Sequence, residues 1–532
     1  MPRQAKGGTS FVRQAAILAA ASLFVRFIGF AYRLPLTELI GDEGNALYGA
    51  AYNIYGVAVV ISSGALPAAI SRLVSERLTK REFYNAHEMF KTSMLFALVS
   101  GAIVGLAMWF GAEFMLGFMH QPEALYALRA LAPTVFFVAM LAVFRGYFQG
   151  MKTAIPTALS QVLEQIVNVA FSVMLAFALY RASGLEAAVG GASAGTGIGA
   201  IAGLGVVIVI YGIMSRTFKW RAARDNSPRE SRYNQFKLLL LTTLPIVFGM
   251  VVFQLTNIID IRMASSRMLA SGYFTESEAR ALVGQFTGKF ILLITLPAAL
   301  SFALSSAIIP EITSSKVKME TTAIKHKTDM ALRVAMILSI PAAVGLAVLA
   351  DPIIVLLFPT QPEGGWMLRY GSITIVFMAL SNVLTGTLQG LGHVKLPAIA
   401  ALFGVATKIP VNYALIGEPS INILGAVIST IICYAVAAAI NMYFLYRHTG
   451  ILPGLAGAFI KPLVAAAVMG MICYITYHTT NMLIPTPLAT LSALVAGAAT
   501  YVMIMCVIKG FRESDLMAAP LPVAVKRWLI RL

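Results

Sequence analysis

Arg145-Gly146-Tyr147-Phe148-Gln149-Gly150-Met151-Lys152 is echoed later in the chain by Thr385-Gly386-Thr387-Leu388-Gln389-Gly390-Leu391-Gly392-His393. Both stretches carry Gly-x-x-Gln-Gly at the end of an apolar run. Both lead through a proline, Pro156 or Pro397, into the next run. Two further matches keep the same order. Leu66-Pro67-Ala68-Ala69-Ile70-Ser71 resembles Ile309-Pro310-Glu311-Ile312-Thr313, and Asn168 resembles Asn412. Three matches in order, at offsets of 240 to 244 residues, predict an internal repeat.

The runs between these marks decide what kind of repeat it is. A helix needs about 20 apolar residues to cross a bilayer. Such runs fall at 14–39, 46–71, 92–118, 129–148, 155–180, 188–214, 237–262, 284–310, 330–358, 368–390, 396–417, 421–446, 458–479 and 488–509. Pro and Gly recur inside them, as membrane helices tolerate. The alternating strands of a barrel are absent. Composition agrees. The 532 residues are 58% hydrophobic and only 12% charged, about half the charged fraction of a soluble domain. Such a chain cannot cover its own apolar surface in water. Cys433, Cys473 and Cys506 lie in apolar runs and form no CxxC motif, so neither a disulfide framework nor a structural metal site is expected.

The formal charge of +17 does not describe a nucleic-acid-binding face. With the N-terminus placed inside and the spans alternating, three quarters of the 40 Lys and Arg fall in inner segments. The outer segments hold only Arg129, Arg181, Arg267, Arg280 and Arg369. This is a strong positive-inside pattern, and it predicts that both termini are cytoplasmic. The basic start (Arg3, Lys6, Arg13) precedes a long apolar run without a small-residue cleavage site. It reads as a retained first helix. The inner loop Ser215–Phe236, with Arg216, Lys219, Arg221, Arg224, Arg229 and Arg232, reads as a topology anchor near anionic lipid. The tail 511–532 reads as a short amphipathic helix on the inner leaflet.

The predicted fold is an all-α polytopic membrane protein of about fourteen transmembrane helices. Six helices per repeat is an even number, so the repeats lie parallel about an axis normal to the membrane. Residues 1–225 form an N-lobe and 226–450 a C-lobe around a central cavity. Residues 451–510 form an appended helix pair, and 511–532 the tail.

Charges at bilayer depth cost at least about 2.5–3.5 kcal/mol each, so each needs a reason. Arg26 lies mid-span, and Arg33 lies two turns further along the same face with Gly29 between them. Lys289 and Lys408 add two more cations, and Glu164, Asp260 and Arg262 complete the set. Asp260 and Arg262 read as a helix-locking pair near the interface, or as gating groups. Aligning Asn168 with Asn412 makes Glu164 and Lys408 equivalent, so the two are expected to pair when the lobes close. Cations outnumber acids, which suits an anionic ligand, since Arg offers a planar fork to phosphate oxygens. Enzyme readings find little support. The six histidines lie in or near loops, no HExxH motif occurs, and the outer Asp42-Glu43 pair reads as a charged turn. No GxxxxGK loop supports ATP coupling.

Phe24-Val25-Arg26-Phe27-Ile28-Gly29-Phe30-Ala31-Tyr32-Arg33, Ser63-Gly64-Ala65-Leu66-Pro67 and the Arg145-Gly-x-x-Gln149-Gly150 motif resemble the multidrug/oligosaccharidyl-lipid/polysaccharide exporter superfamily. Within it they resemble the peptidoglycan lipid II flippases and the stage V sporulation protein B branch. The resemblance implies a flippase that moves an undecaprenyl-pyrophosphate-linked glycan, foremost lipid II, from inner to outer leaflet. It implies that Arg26, Arg33 and Lys289 bind the pyrophosphate, and that the last two helices form a groove for the lipid tail. Some members carry an arginine near the end of helix 2, where this chain has Val60, Ile61 and Ser62. Lys408 would supply the missing charge. No cofactor is implied beyond a coupling ion, Na+ or H+, if membrane potential is not the drive. The implied partners are the lipid-linked glycan, membrane lipids and cell-wall synthesis proteins, with no nucleic acid, and the chain is expected to be a monomer. A flippase for another polysaccharide or spore precursor, a cation-coupled multidrug exporter and a membrane-bound transferase are the alternatives.

Overall fold

The computed structural model describes residues 18 to 511 except 19, 224 and 226. Arg3, Lys6 and Arg13 and the tail beyond 511 lie outside the described residues, as does Arg224. Among the described residues twelve helices are long and apolar enough to cross a membrane. A thirteenth is formed if the bent pair Gly365–Gly371 and Thr374–Gly390 counts as one span. With the shorter apolar helix Ala20–Ala31 they match the fourteen runs one for one. The protein is a polytopic all-helical membrane protein.

The chain divides into two compact units, Met1–Arg262 and Met263–Leu532. The first holds α1 (Ala20–Ala31), α2 (Arg33–Val59), α3 (Leu66–Thr79), α4 (Phe83–Phe110), α5 (Ala112–Phe118), α6 (Leu125–Gly150), α7 (Ile155–Ser183), α8 (Leu185–Ala223) and most of α9 (Arg232–Ala270). The second holds α10 (Glu276–Gln285), α11 (Ile291–Val317), α12 (Thr321–Val348), α13 (Ala350–Leu357), α14 (Gly365–Gly371), α15 (Thr374–Gly390), α16 (Lys395–Ile416), α17 (Leu424–Thr449), α18 (Leu455–Thr480) and α19 (Thr486–Val507).

Two differences from the predicted spans have physical causes. The helices outrun the apolar runs, because helical hydrogen bonding continues where hydrocarbon ends. The predicted loop 215–236 is therefore mostly helix, and only residues 224–231 separate α8 from α9. The helix also continues past the end of the first run and kinks at Gly41, whose φ of 68° and ψ of −175° no helix accommodates. Glycine takes that conformation without a Cβ clash.

The short connection into α9 is fastened to unit 1. Arg77, nearly buried, donates through Nε at 3.1 Å and Nη2 at 2.5 Å to Glu230, and through Nη1 to the Leu73 carbonyl. The Asn85 amide donates to the Pro228 carbonyl and its Oδ1 accepts from the Glu230 N–H. Asp225 accepts from the N–H groups of Tyr84 and Ser227. Burial pushes that carboxyl up, but the two backbone donors outweigh it and hold it below its usual range.

Small residues set the helix packing. Gly191, Gly195, Gly199 and Gly203 recur every four residues along α8 and meet the backbone of α7 at Leu175, Ser172, Glu164 and Ser160. Close backbone approach of this kind is how membrane helices associate when no hydrophobic drive separates them from lipid. A methyl on Gly195 would lie within 2.6 Å of Ser172 Cα. Gly195→Ala is therefore expected to destabilise unit 1 by about 1–3 kcal/mol. A lowered unfolding midpoint in detergent checks this, and an unchanged midpoint would show that α7 and α8 separate freely.

The repeat is visible in each unit separately. Gly146 and Gly150 of α6 lie against Pro67, Ile70, Ser71 and Val74 of α3. Gly386 and Gly390 of α15 lie against Ser305, Ile308, Ile309 and Ile312 of α11. Both helices end in the same turn: the N–H of Thr153 reaches the Phe148 carbonyl, and that of His393 the Leu388 carbonyl. The residue before the last is left-handed in both, Lys152 at φ 58° and Gly392 at φ 81°. Gln149 and Gln389 are partly buried at like positions. The contacts pair Ile70 with Ile308 and Val74 with Ile312, which corrects the alignment of Pro67 with Pro310. That resemblance follows proline placement, and the packing does not.

In unit 2, α18 and α19 pack on α12. The Tyr501 hydroxyl donates to the Ile337 carbonyl at 2.8 Å, and Gly470 faces Val344.

Candidate functional site

Arg33 opens α2, and its charge lies among tyrosines. Its Cζ sits 4.5 Å from the Tyr48 ring centroid and 5.7 Å from that of Tyr52. The two rings stack at 4.4 Å. Tyr48 is fully buried, and its hydroxyl bonds the Tyr32 hydroxyl at 3.0 Å. The Tyr52 hydroxyl bonds Thr196 of α8. Thr196 and Ser172 both donate to Asn168 Oδ1 on α7, at 3.4 and 2.8 Å. A chain of hydroxyls thus ties the Arg33 pocket to α7 and α8. Arg33 itself stays partly exposed.

The helix α1 carries Ser22, Arg26 and Gly29 on one face, and this face meets α7. Ser22 Oγ lies 3.4 Å from Gln161 Oε1, and Gly29 lies against Gln165. Arg26 falls between these contacts in register and is exposed. Arg26 and Arg33 therefore stand along one edge of unit 1, beside two amide side chains and a tyrosine cluster.

The structure gives Glu164 a partner within its own unit. Arg145 Nη2 lies 2.5 Å from Glu164 Oε2, and its Nε donates to Ser160 at 2.9 Å. Glu164 is thereby anchored to α6. Lys408 and Asn412 are buried on α16, four residues apart. Asp260 is buried, whereas the Arg262 guanidinium lies over Phe118 at 5.0 Å and bonds His120.

Lys289 is fully buried in a π-helical turn, Phe286–Phe290. Its ammonium donates to the carbonyls of Gln361 at 2.7 Å and Glu363 at 3.1 Å. Phe358 lies 5.7 Å away and Gln285 bonds the Glu363 carboxylate. The lysine thus fastens the segment between α13 and α14. Lys289→Met keeps the volume and strands two carbonyls, and is expected to cost about 2–4 kcal/mol. The unfolding midpoint should fall while the folded fraction keeps its affinity for a polyprenyl pyrophosphate. The reverse pattern would make Lys289 a ligand group.

Sequence reasoning singles out Arg26, Arg33 and Glu164 as candidates but misses the tyrosines around Arg33 and Arg145 as the partner of Glu164. A signal was present. Tyr48, Tyr52 and Tyr55 recur at spacings of four and three, which is one helix face.

Among the described residues, no group of three or more His, Cys, Asp or Glu could hold a metal. A polytopic chain built from two like helical repeats, with Arg26 and Arg33 on α1 and α2 and the amides of Gln161 and Gln165 on α7 against α1, is of the flippase or exporter class. Residues 11–316 match the polysaccharide biosynthesis protein family and residues 245–414 match the MatE family. The chain belongs to the polysaccharide biosynthesis protein family. It is 27% identical over 527 residues to the uncharacterized membrane protein YabM of Bacillus subtilis, covering 97% of this chain and 96% of that one. It is 27% identical over 461 residues to the lipid II flippase MurJ of Bacillus subtilis, covering 83% and 84%. A solved structure of a lipid II flippase MurJ in an inward closed conformation shares the fold. Its TM-score is 0.67 at 15% identity, over 93% of this chain and 98% of that one.

Proposed function

We propose that this protein carries a lipid-linked glycan with a pyrophosphate head, foremost lipid II, from the inner to the outer leaflet of a bacterial cytoplasmic membrane. Both termini face the cytoplasm, as the distribution of basic loops requires. Transport is by alternating access, driven by membrane potential or an ion gradient, and no covalent bond is made or broken. One observation carries the reading: Arg33 is partly exposed and held by an aromatic face and one tyrosine hydroxyl, with no carboxylate on its fork among the described residues, so it keeps its charge and further N–H donors for phosphate oxygens. Arg26, in register on the same edge, would take the second phosphate. The lipid II flippase MurJ of Bacillus subtilis supports the choice of substrate. The test is complementation of cells depleted of their own lipid II flippase, combined with a leaflet-accessibility assay for lipid II. Wild-type protein should restore growth and outer-leaflet lipid II, and Arg26→Ala should not. Growth without any outward movement of lipid II would sink the reading.

The MatE match favours a second reading, a cation-coupled multidrug exporter. Such chemistry needs a titrating acid, and Glu164 is anchored by Arg145. A drug-resistance phenotype lost in Glu164→Gln would turn the choice.

A further inference from the structure

We infer that Tyr48, with Tyr52 behind it and Tyr32 holding its hydroxyl, is the positioning group for pyrophosphate binding by Arg33; this rests on the pyrophosphate reading above. Arginine in a membrane layer must be stabilised without losing the charge that makes it useful. A carboxylate would neutralise it and occupy its N–H fork. An aromatic face acts differently. It attracts the cation through the ring quadrupole and leaves the in-plane donors unused. Arg33 is held in this second way, with the Tyr48 ring 4.5 Å from its Cζ and Tyr52 stacked at 4.4 Å behind; one donor is shared with the Tyr32 hydroxyl, and the rest of the fork is left for a ligand.

The rings are themselves fixed. Tyr48 is fully buried and bonded to Tyr32, and Tyr52 is bonded to Thr196, which continues to Asn168. Every tyrosine hydroxyl near Arg33 therefore has a protein partner, and none needs the substrate. The side chain most free to meet a ligand is the guanidinium. The cradle aims one cation and prevents it from folding back onto the protein.

The experiment varies the ring quadrupole without varying the ring's shape. Full-length protein carries phenylalanine, trifluorophenylalanine or pentafluorophenylalanine at position 48. Farnesyl pyrophosphate is titrated as the probe, with farnesol as control. Tyr48→Phe is the reference of the series, since it already lacks the hydroxyl contact to Tyr32 and the fluorinated rings differ from it in the quadrupole. Successive fluorination should weaken binding by about three- to thirtyfold in total, the range of a cation–π contact. In an Arg33→Gln background the same series should be flat. A flat series in the Arg33 background, with Arg33→Gln weakened, overturns the cradle and leaves the pyrophosphate reading intact. Equal binding by wild type and Arg33→Gln overturns both.

Discussion

Arg33→Gln is expected to weaken polyprenyl pyrophosphate binding by at least about thirtyfold and to stop outward movement of the lipid-linked glycan. The size follows from what is removed. A charge-assisted pair with phosphate in a partly desolvated site costs about 2–5 kcal/mol to break, and each 1.4 kcal/mol is tenfold. The site has little to replace it. Glutamine keeps two donors but neither the charge nor the planar fork, and its amide gains nothing from the Tyr48 face. Arg33→Lys is the sharper companion. It restores charge without bidentate geometry and is expected to recover part of the affinity, leaving about a tenfold deficit. Isothermal titration on purified protein measures both, and leaflet accessibility in complemented cells measures the consequence. Full transport by Arg33→Gln would remove Arg33 from the binding site, whatever its place in the fold. Arg26→Ala should lose less affinity, since Arg26 is exposed and its charge is better screened by water than that of Arg33.

These two arginines were legible in the sequence because charge is rare in apolar runs, and rarity is a signal that needs no structure. The spans were legible for the same reason. What surrounds each charge was not. The Glu164 carboxylate was matched to Lys408 by repeat position, but its partner Arg145 sits on the neighbouring helix α6, and only packing brings the two together. Lys289 reads as a membrane cation from its depth in the run. A π-helical turn then rotates it onto two loop carbonyls, a backbone choice that hydropathy does not encode. The break at Gly41 is similar, since many glycines sit in these helices and few break them. The repeat shows the opposite case. Gly146, Gly150, Gly386 and Gly390 were visible as a pattern, and the packing explains it, because each lies where a side chain would strike a facing helix.

Collapsing the membrane potential is expected to stop multiple turnover while leaving a single turnover nearly unchanged. Each charge that crosses the field is worth about 2.3 kcal/mol per 100 mV. A pyrophosphate with roughly two negative charges therefore gains about 4.6 kcal/mol per 100 mV, or about three decades in the outer-to-inner ratio. Where that energy acts depends on the arginines. With Arg26 and Arg33 on the pyrophosphate, the loaded site is close to neutral and moves outward with little sensitivity to the field. After release the empty site regains the positive charge that the pyrophosphate had neutralised. An inside-negative potential then favours its return, so the field drives the reset of the carrier. Proteoliposomes with a potassium gradient and valinomycin separate the two steps. Outward movement of a prebound fluorescent lipid II should be the same at either polarity. Repeated turnover should depend on polarity, and Arg33→Lys, which conserves the charge, should retain that dependence at lower affinity. Turnover that ignores polarity but follows an imposed Na+ or H+ gradient would assign the reset to a coupling ion. The charge on Arg33 would then serve binding alone.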